Sequence, residues 1–202
     1  MDFDDLLTPK PPPPNRVGNC DGDYERHFYE GAVMVAYAMH LFRTHNVKEV
    51  RLHPDGEHGK QFEFADWLGK RDFTKVSSMG KTAYGGEYHD DQGRRIVVHP
   101  KSGLGDVVAE IGESTLTAEC KGGVINTRHP GQLSRLRRGL CEAVGLLMAT
   151  PPRGRQVAVV PYTKTTDQLA KQLVPRCKSA GIEIALVTSQ GKIIDPEFGS
   201  HN

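Results

Sequence analysis

The chain has 202 residues, of which 37% are apolar and 25% are charged. This length and balance indicate a globular protein with one well-buried domain, and they exclude an intrinsically disordered chain. The formal net charge of +1 is too small to indicate a nucleic-acid partner by itself, so such a partner would need a local basic patch.

The positions of the cysteines and the hydropathy of the chain exclude further classes of protein. The four cysteines (Cys20, Cys120, Cys141 and Cys177) lie far apart and include no Cys-x-x-Cys pair, which argues against a cysteine-ligated zinc site and against a disulfide framework. No apolar run approaches the length of a membrane span, and no signal-peptide pattern is found. We therefore expect a cytoplasmic protein without a membrane partner.

The N-terminal half begins with a segment that we expect to be unstructured. Residues 1–16 run into four consecutive prolines at 11–14, and this composition predicts a disordered, Pro-rich tail. Apolar residues then recur with a helical period, and Asp23 is available as a cap. The elements predicted here are a helix over Asp23–His45, a strand over Val47–His53, a helix over Lys60–Lys70 and a hairpin over Gly85–Pro100 with its tip at Asp90–Gly93.

The C-terminal half predicts the rest of a mixed sheet. A second hairpin surrounds Gly112 and Glu113, and Thr165–Gln168 matches the pattern of a helix capping box. The further elements are a helix over Pro130–Met148, a strand over Arg155–Tyr162, a helix closed by Gly181 and a strand over Ile182–Val187. Hairpins followed by strand–helix–strand crossovers predict an α/β fold in which helices sandwich a mixed central β-sheet. We expect a single domain over residues 17–195 and a C-terminal tail over residues 196–202.

Three charged residues lie within the second predicted hairpin. With Gly112 at the first central position a type II′ turn is favoured, and its register places Asp106 directly opposite Glu119. Side chains alternate along a strand, so Lys121 shares a face with Glu119. The opposite face is expected to be buried, and its residues are Val107, Ala109, Ile111, Leu116, Ala118 and Cys120.

The facing carboxylates indicate a cation site. Two like charges opposite each other destabilise a sheet, and a purely structural hairpin would avoid placing Asp106 opposite Glu119. A divalent cation between them reverses this effect, and Mg²⁺ binds through one or two carboxylates while water and phosphate oxygens complete its shell. Lys121 could then orient or deprotonate a metal-bound water, or stabilise the charge that develops on phosphorus. The alternative is a solvated strand end with an incidental ion pair.

The spacing of these residues resembles a known nuclease signature. Asp106, followed after a twelve-residue gap by Glu119-Cys120-Lys121, resembles the PD-(D/E)xK motif of the restriction-endonuclease-like nucleases, although Gly105 stands where the motif usually has proline. The resemblance extends over residues 23–187, because the order of helices and strands also matches. It implies a restriction-endonuclease-like core, an acidic pair that holds Mg²⁺, with Mn²⁺ able to replace it, and a lysine that assists phosphodiester hydrolysis.

Two further residues match positions of that family. An acidic residue on the first helix often completes the metal site, and Glu25 matches it, since it shares the stripe of Phe28; the alternative is a charge that complements the helix dipole. Gln132, in the first turn of the helix after Lys121, matches a glutamine that several branches turn towards the site; the alternative is an exposed polar residue. Glu30 is expected to face water.

A basic cluster lies beside these residues in the sequence. Arg128, Arg135, Arg137 and Arg138 are predicted to contact nucleic-acid phosphates, and a solvated helix face is the alternative. The sequence therefore predicts a Mg²⁺-dependent endonuclease that acts on DNA. The alternatives are a nuclease-fold module that binds nucleic acid or a protein partner without cleaving, and an RNA-directed nuclease. No base-reading motif is visible, so we expect either limited sequence specificity or targeting supplied by a homodimer or a partner protein.

Overall fold

The computed structural model describes residues 3–54, 56–101, 103–151 and 153–196. Within them the strands are β1 (Thr8–Lys10), β2 (Glu25–Phe28), β3 (Glu49–Leu52), β4 (Thr74–Ser78), β5 (Gly86–His89), β6 (Arg95–Val98), β7 (Val107–Ile111), β8 (Ser114–Cys120), β9 (Gly123–Val124), β10 (Gly154–Pro161), β11 (Ile182–Val187) and β12 (Ile193–Ile194). The helices are α1 (Glu30–Thr44), α2 (Gly56–Gly59), α3 (Phe64–Gly69), α4 (Pro130–Ala149) and α5 (Lys164–Ser179).

The described strands form a large mixed sheet and a small antiparallel one. The large sheet has the order β12-β11-β10-β8-β7-β3-β6-β5-β4, and the small one has the order β1-β2-β9. β10 runs parallel to both β8 and β11, and β3 runs parallel to β6, while the other neighbours in the large sheet are antiparallel. The prediction of an α/β fold with a mixed central sheet is confirmed.

Helices cover both faces of the large sheet. α1 packs on one face, and it is buried on nearly every side, since all residues from Glu30 to Met39 are buried. α4 and α5 connect the parallel strands β8, β10 and β11, and they pack on the opposite face, because parallel neighbours need a crossover connection. No helix within the described residues has the length and the apolar character needed to cross a bilayer.

The second hairpin has the predicted register. β7 pairs with β8 so that Ile111 lies opposite Ser114. Gly112 has a φ of 61°, and the residue after it is not among the described residues with positive φ, which is the pattern of a type II′ turn. The face predicted to be buried is buried, except that Ile111 is half-exposed. The first hairpin, α4, β10 and β11 also lie where the sequence predicts them.

The first helix begins later than predicted. The helix expected over Asp23–His45 starts at Glu30, and residues 25–28 form β2, which pairs with β1 on one side and with β9 on the other. The backbone N–H of Arg26 donates to Oδ1 of Asn126 at 2.8 Å, and its carbonyl accepts from the N–H of Ile125 at 3.0 Å. These bonds to a distant part of the chain outweigh the helical period of the apolar residues, so the prediction of helix over residues 23–29 is wrong.

The N-terminal segment also differs from the predicted disordered tail. Phe3 and Leu6 are 2% and 1% exposed and belong to the same core as α1. The Phe3 ring packs edge-on against Trp67, and Asp5 Oδ1 accepts a hydrogen bond from Trp67 Nε1 at 3.1 Å. Apolar side chains before the prolines fix the segment, so the packed core begins before residue 17. Of the predicted C-terminal tail, residues 197–202 lie outside the described residues.

Two smaller differences concern where helices start. The helix expected over Lys60–Lys70 is the shorter α3, and the capping box of α5 is formed by Thr163 and Thr166 instead of Thr165–Gln168. Thr163 Oγ1 accepts from the N–H of Thr166 at 3.1 Å, and Thr166 Oγ1 accepts from the N–H of Thr163 at 2.8 Å. The threonine hydroxyl thus does what the acidic or amide side chain does in the usual box, and α5 begins two residues earlier than predicted.

Candidate active site

Asp106 and Glu119 lie opposite each other at one end of the second hairpin. Asp106 comes directly before β7, and extending the pairing of β7 with β8 by one residue places it opposite Glu119. Its Oδ2 accepts a hydrogen bond from the N–H of Cys120 at 2.7 Å, and its carbonyl accepts one from the N–H of His53 at 2.8 Å. Both acidic residues are half-buried, so the acidic pair comes together as the register predicts.

Lys121 joins the acidic pair from the end of β8. Its N–H donates to the carbonyl of Val159 at 3.0 Å, which continues the pairing with β10 and keeps the side chain on the face of Glu119. Its Nζ lies 3.5 Å from Oε2 of Glu30 and 3.5 Å from Oε1 of Glu142. Only 19% of the Lys121 side chain is exposed, so carboxylates surround the ammonium group on several sides.

Glu30 is the acidic residue of the first helix that faces this site. It is the first residue of α1, it is 8% exposed, and it contacts Lys121, so the expectation that it faces water is wrong. A sequence signal for this exists: the run from Gly31 to Met39 is apolar without a break. A helix that is apolar all round is buried on every side, and its first turn is buried with it.

Glu25 belongs to a different cluster, on the small sheet. It is 2% exposed on β2, and the guanidinium of Arg16 donates two hydrogen bonds to it, at 2.6 and 2.9 Å. Nε2 of His27 lies 3.2 Å from the same carboxylate. The hydrogen bonds from Arg16 lower the pKa of Glu25 and outweigh the effect of burial. Glu25 is thus already paired, and its predicted place on the first helix is wrong.

The pKa values of the acidic pair are raised. Burial is the largest cause, and together with the negative charge of Glu30 it raises the pKa of Asp106 to about 8. Burial also raises the pKa of Glu119, against the positive charge of Lys121. Burial disfavours the charged form of Lys121, but the surrounding carboxylates, Glu30 first, outweigh it and raise the pKa of the lysine. Three carboxylates, those of Asp106, Glu119 and Glu30, thus act on the ammonium group of Lys121.

The two facing carboxylates of Asp106 and Glu119 fit a divalent cation. Asp106 and Glu119 could supply oxygen ligands, and Mg²⁺ takes one or two carboxylates and fills its other positions with water and substrate oxygens. Among the described residues no group of three or more His, Cys, Asp or Glu side chains is placed to hold a metal ion, so a cation here would rest on the two carboxylates. Such a shell would leave positions open for water and substrate, as a catalytic cation requires.

A cleft of about 440 Å³ opens beside Lys121. Gln132, in the first turn of α4, is 6% exposed and lines this cleft. Arg135 and Arg138, one and two turns further along α4, line it with exposed side chains. The structure therefore brings the predicted glutamine and two of the four predicted arginines together with the lysine.

The other two predicted arginines are placed differently. Arg137 is exposed on α4, outside the residues that line the cleft. Arg128 precedes α4, where its Nη2 donates to the carbonyl of Cys20 at 3.2 Å and its Nε lies 3.4 Å from Oδ1 of Asp21. Arg128 thus ties the loop before α4 to the N-terminal part of the chain.

Two glycines let the elements of the site approach closely. A Cβ atom on Gly122 would lie 2.3 Å from the carbonyl oxygen of Phe28 and 2.8 Å from the backbone nitrogen of Glu30. A Cβ atom on Gly139 of α4 would lie 3.3 Å from Cβ of Lys121. The absence of a side chain at Gly122 therefore allows the start of α1, with its glutamate, to lie against the lysine.

Two histidines extend the row of site residues across the sheet. Extending the pairing of β3 with β7 by one residue places His53 beside Asp106, and the pairing of β3 with β6 places His99 beside His53. The two imidazole rings have their centroids 5.4 Å apart. The row His99, His53, Asp106, Glu119 crosses β6, β3, β7 and β8 on one face. The row depends on strand pairings between distant residues, so no local sequence pattern predicts it.

Comparison with protein-family models, with curated proteins and with solved structures finds no match for this chain. The grouping of Asp106, Glu119 and Lys121 therefore stands on strand register, burial and charge. Membership of the PD-(D/E)xK nucleases stays a prediction.

Proposed function

We propose that the protein is a Mg²⁺-dependent endonuclease that hydrolyses phosphodiester bonds in DNA. The observation that carries this proposal is the convergence of Asp106, Glu119 and Glu30 around Lys121, beside an open cleft. Neighbouring buried carboxylates are costly, and groups with strongly perturbed pKa values are characteristic of catalytic sites. We assign the helix–strand–hairpin–helix–strand sequence α1, β3, β7, β8, α4 and β10 to a restriction-endonuclease-like core.

Each residue of the site has a role in this proposal. Asp106 and Glu119 hold Mg²⁺, which supplies Lewis-acid activation of a water and of the phosphoryl oxygens. Lys121 places a positive charge where negative charge develops on the phosphoryl group. Glu30 positions Lys121 and is not a group that reacts. Gln132 donates its amide hydrogens to the substrate from the wall of the cleft.

The cleft supplies the binding surface. Arg135 and Arg138 lie along one side of α4, and their guanidinium groups can pair with phosphate oxygens in the planar, two-bond geometry that arginine favours. Because the chain as a whole has a net charge of only +1, this local pair of arginines is what would draw the backbone of the substrate to the cleft.

A cleavage assay with matched variants tests the proposal. Plasmid DNA, linear duplex DNA, single-stranded DNA and RNA are incubated with Mg²⁺, with Mn²⁺ and with EDTA. We expect cleavage of DNA with either metal and none with EDTA. Asp106→Asn should abolish the cleavage, because it removes a ligand of the cation. Glu110→Gln, on the same hairpin but exposed to solvent, is the control and should cleave like the wild type.

The assay also separates the alternatives. Cleavage of RNA but not of DNA would support phosphodiester hydrolysis and show that the substrate is RNA. Binding of DNA without cleavage in any metal would assign the protein to the non-catalytic nuclease-fold modules. Full activity of a folded Asp106→Asn variant would show that the site is misplaced.

A further inference from the structure

Among the described residues, helices cover only half the width of the sheet face that carries the acidic row. α4 and α5 cover β8, β10 and β11 on this face. On β3 and β6, Arg51 and Arg95 point to the same side and are exposed. Val97 and Val108 also lie on this side, and they belong to neither of the two core clusters. Asp106 and Glu119 therefore stand at the border between the covered and the open half.

The open half contains a groove of about 490 Å³. Val97 and Val108 lie at its apolar floor and are 8% and 6% exposed. Its rim includes Leu104, whose side chain is 45% exposed although it is large and apolar. An apolar floor with a few polar groups at the side is the usual composition of a site for a small organic group.

His53 and His99 are the aromatic residues of the groove, and Glu49, Arg51, Glu87 and Arg95 also line it. Nδ1 of His53 lies 2.9 Å from the carbonyl oxygen of Lys101, which fixes the ring. Gly103 covers one side of the same ring, because a Cβ atom there would lie 2.6 Å from three ring atoms. His99 lies on the groove next to it, with an angle of 39° between the rings. The two imidazoles thus present two aromatic rings, tilted relative to each other, one and two strands away from Asp106.

The charges around the groove are balanced. Nε of Arg51 lies 2.7 Å from Oε1 of Glu49, and Arg95 pairs with the other oxygen of Glu49 and with Glu87. A nucleic-acid backbone binds where positive charge is in excess, as in the arginine-lined cleft on the other side of the acidic row. A nucleobase is uncharged and planar, and proteins bind unpaired bases by stacking on aromatic or guanidinium planes and by hydrogen bonds to their edges.

We propose that this groove holds an unpaired nucleobase next to the scissile phosphate, so that the substrate is single-stranded or locally unpaired nucleic acid. The inference rests on the proposed function, and it adds the form of the substrate. The bases of an intact duplex are stacked on one another and do not reach a pocket on an open sheet face without leaving the stack. The phosphates would lie along Lys121 and the arginines of α4, and the base would lie beyond Asp106 on the histidine side.

Binding in EDTA, where cleavage cannot occur, tests this inference. The probes are a single-stranded DNA oligonucleotide that carries 2-aminopurine and the same sequence as a duplex, and both fluorescence and anisotropy are measured. His99→Ala removes one of the two imidazole rings of the groove, and Leu104→Glu places a charge at the mouth of the groove without touching the core. Each should weaken single-strand binding by roughly 5- to 50-fold, the effect expected for the loss of one base contact, and should leave duplex binding unchanged.

His45→Ala is the matched control. His45 follows α1 and lines a separate cavity, on the side of β11, so this variant should bind both probes like the wild type. Unchanged single-strand affinity in both groove variants would overturn the inference, as would an equal loss for the single strand and the duplex. If the groove variants lose single-strand affinity but the wild type cleaves no substrate, the proposed function is contradicted and the groove remains a base site. If the wild type cleaves DNA but the groove variants bind single strands normally, the proposed function stands and the inference about the groove is overturned.

Discussion

The protein holds two clusters of buried charge, and they differ in how the charge is balanced. On the small sheet, Glu25 has Arg16 and His27 as partners, and its pKa is lowered. At the end of the second hairpin, Asp106 has acidic neighbours, and its pKa is raised to about 8. A paired carboxylate holds the chain together, whereas a carboxylate kept near like charge costs stability unless a cation or substrate arrives. The comparison teaches that burial alone does not set the charge of an acid: the guanidinium of Arg16 favours the ionised form of Glu25, whereas burial and neighbouring carboxylates favour the protonated form of Asp106.

The largest difference between the clusters should appear when the positively charged side chain of each is replaced, Lys121 in one and Arg16 in the other. Lys121→Met keeps the stem of the side chain and deletes its charge. It should lower turnover by roughly 10²–10⁴-fold, since charge stabilisation or proton transfer by one group contributes about that much, and it should leave the fold intact. Cleavage rates measured beside calorimetry of Mg²⁺ binding check both parts.

Arg16→Met is the control for that prediction. It should leave turnover per folded molecule unchanged, because Arg16 pairs with Glu25 on the small sheet. If Mg²⁺ binding collapses along with activity in Lys121→Met, the lysine holds the site together and its catalytic role is contradicted.

The next difference concerns stability. Glu25→Gln removes the charge of a carboxylate that is 2% exposed and that accepts two hydrogen bonds from the part-buried guanidinium of Arg16. Loss of hydrogen bonds to a charged group costs about 1.5–3 kcal/mol. The free energy of unfolding in urea measures it. Glu183→Gln breaks the pair with Arg155, which has similar distances of 2.9 and 2.8 Å but is exposed, so it should cost less than about 1 kcal/mol. Equal losses in the two variants would remove the distinction between a buried structural pair and a surface pair.

The smallest difference is a dependence on pH. In EDTA, the folded protein keeps Asp106 protonated up to about pH 8, while the unfolded chain loses this proton near the ordinary value. Stability that Asp106 contributes at low pH is therefore lost as the pH rises through this window. The Asp106→Asn variant has no carboxyl group to titrate, so it does not lose this stability. We expect it to be more stable than the wild type by about 1–3 kcal/mol at about pH 8, because a tenfold change in proton affinity is worth about 1.4 kcal/mol. Near pH 4 the two proteins should differ little.

Mg²⁺ should reverse the order of stability. It binds the folded wild type through the charged carboxylates and stabilises it by mass action, and it should have little effect on Asp106→Asn. Urea unfolding across this pH range, with and without Mg²⁺, measures both effects. If the free energy of unfolding of the wild type in EDTA does not fall as the pH rises, the raised pKa of Asp106 is contradicted.

Local patterns in the sequence predicted the parts of the site that lie close together in the chain. The turn at Gly112 fixes the register of one hairpin, and that register alone brings Asp106 opposite Glu119 and keeps Lys121 on their face. The buried face of the hairpin follows from the same alternation. The apolar stripe of α4 predicted that helix within one residue, and Gln132 with it.

The parts that were missed depend on contacts between distant residues. Residues 25–28 have a helical pattern, but pairing with β1 and β9 makes them a strand, and this moved the acidic residue of the first helix from Glu25 to Glu30. His53 and His99 come beside Asp106 only through the pairing of three strands. Phe3 precedes a proline-rich run, and only its fit against Trp67 shows that the segment is ordered. In each case tertiary packing decided what propensity could not.

The burial of Phe3 has a consequence for how the chain is made. A Cβ atom on Gly191 would lie 2.5 Å from the Phe3 ring, and the N–H of Phe3 donates to the carbonyl of Gln190 at 3.3 Å. Phe3 thus contacts residues 190 and 191, which lie far from it in the sequence. During synthesis on the ribosome these contacts cannot form until residue 191 has emerged, so we expect the side chain of Phe3 to complete its packing late in folding.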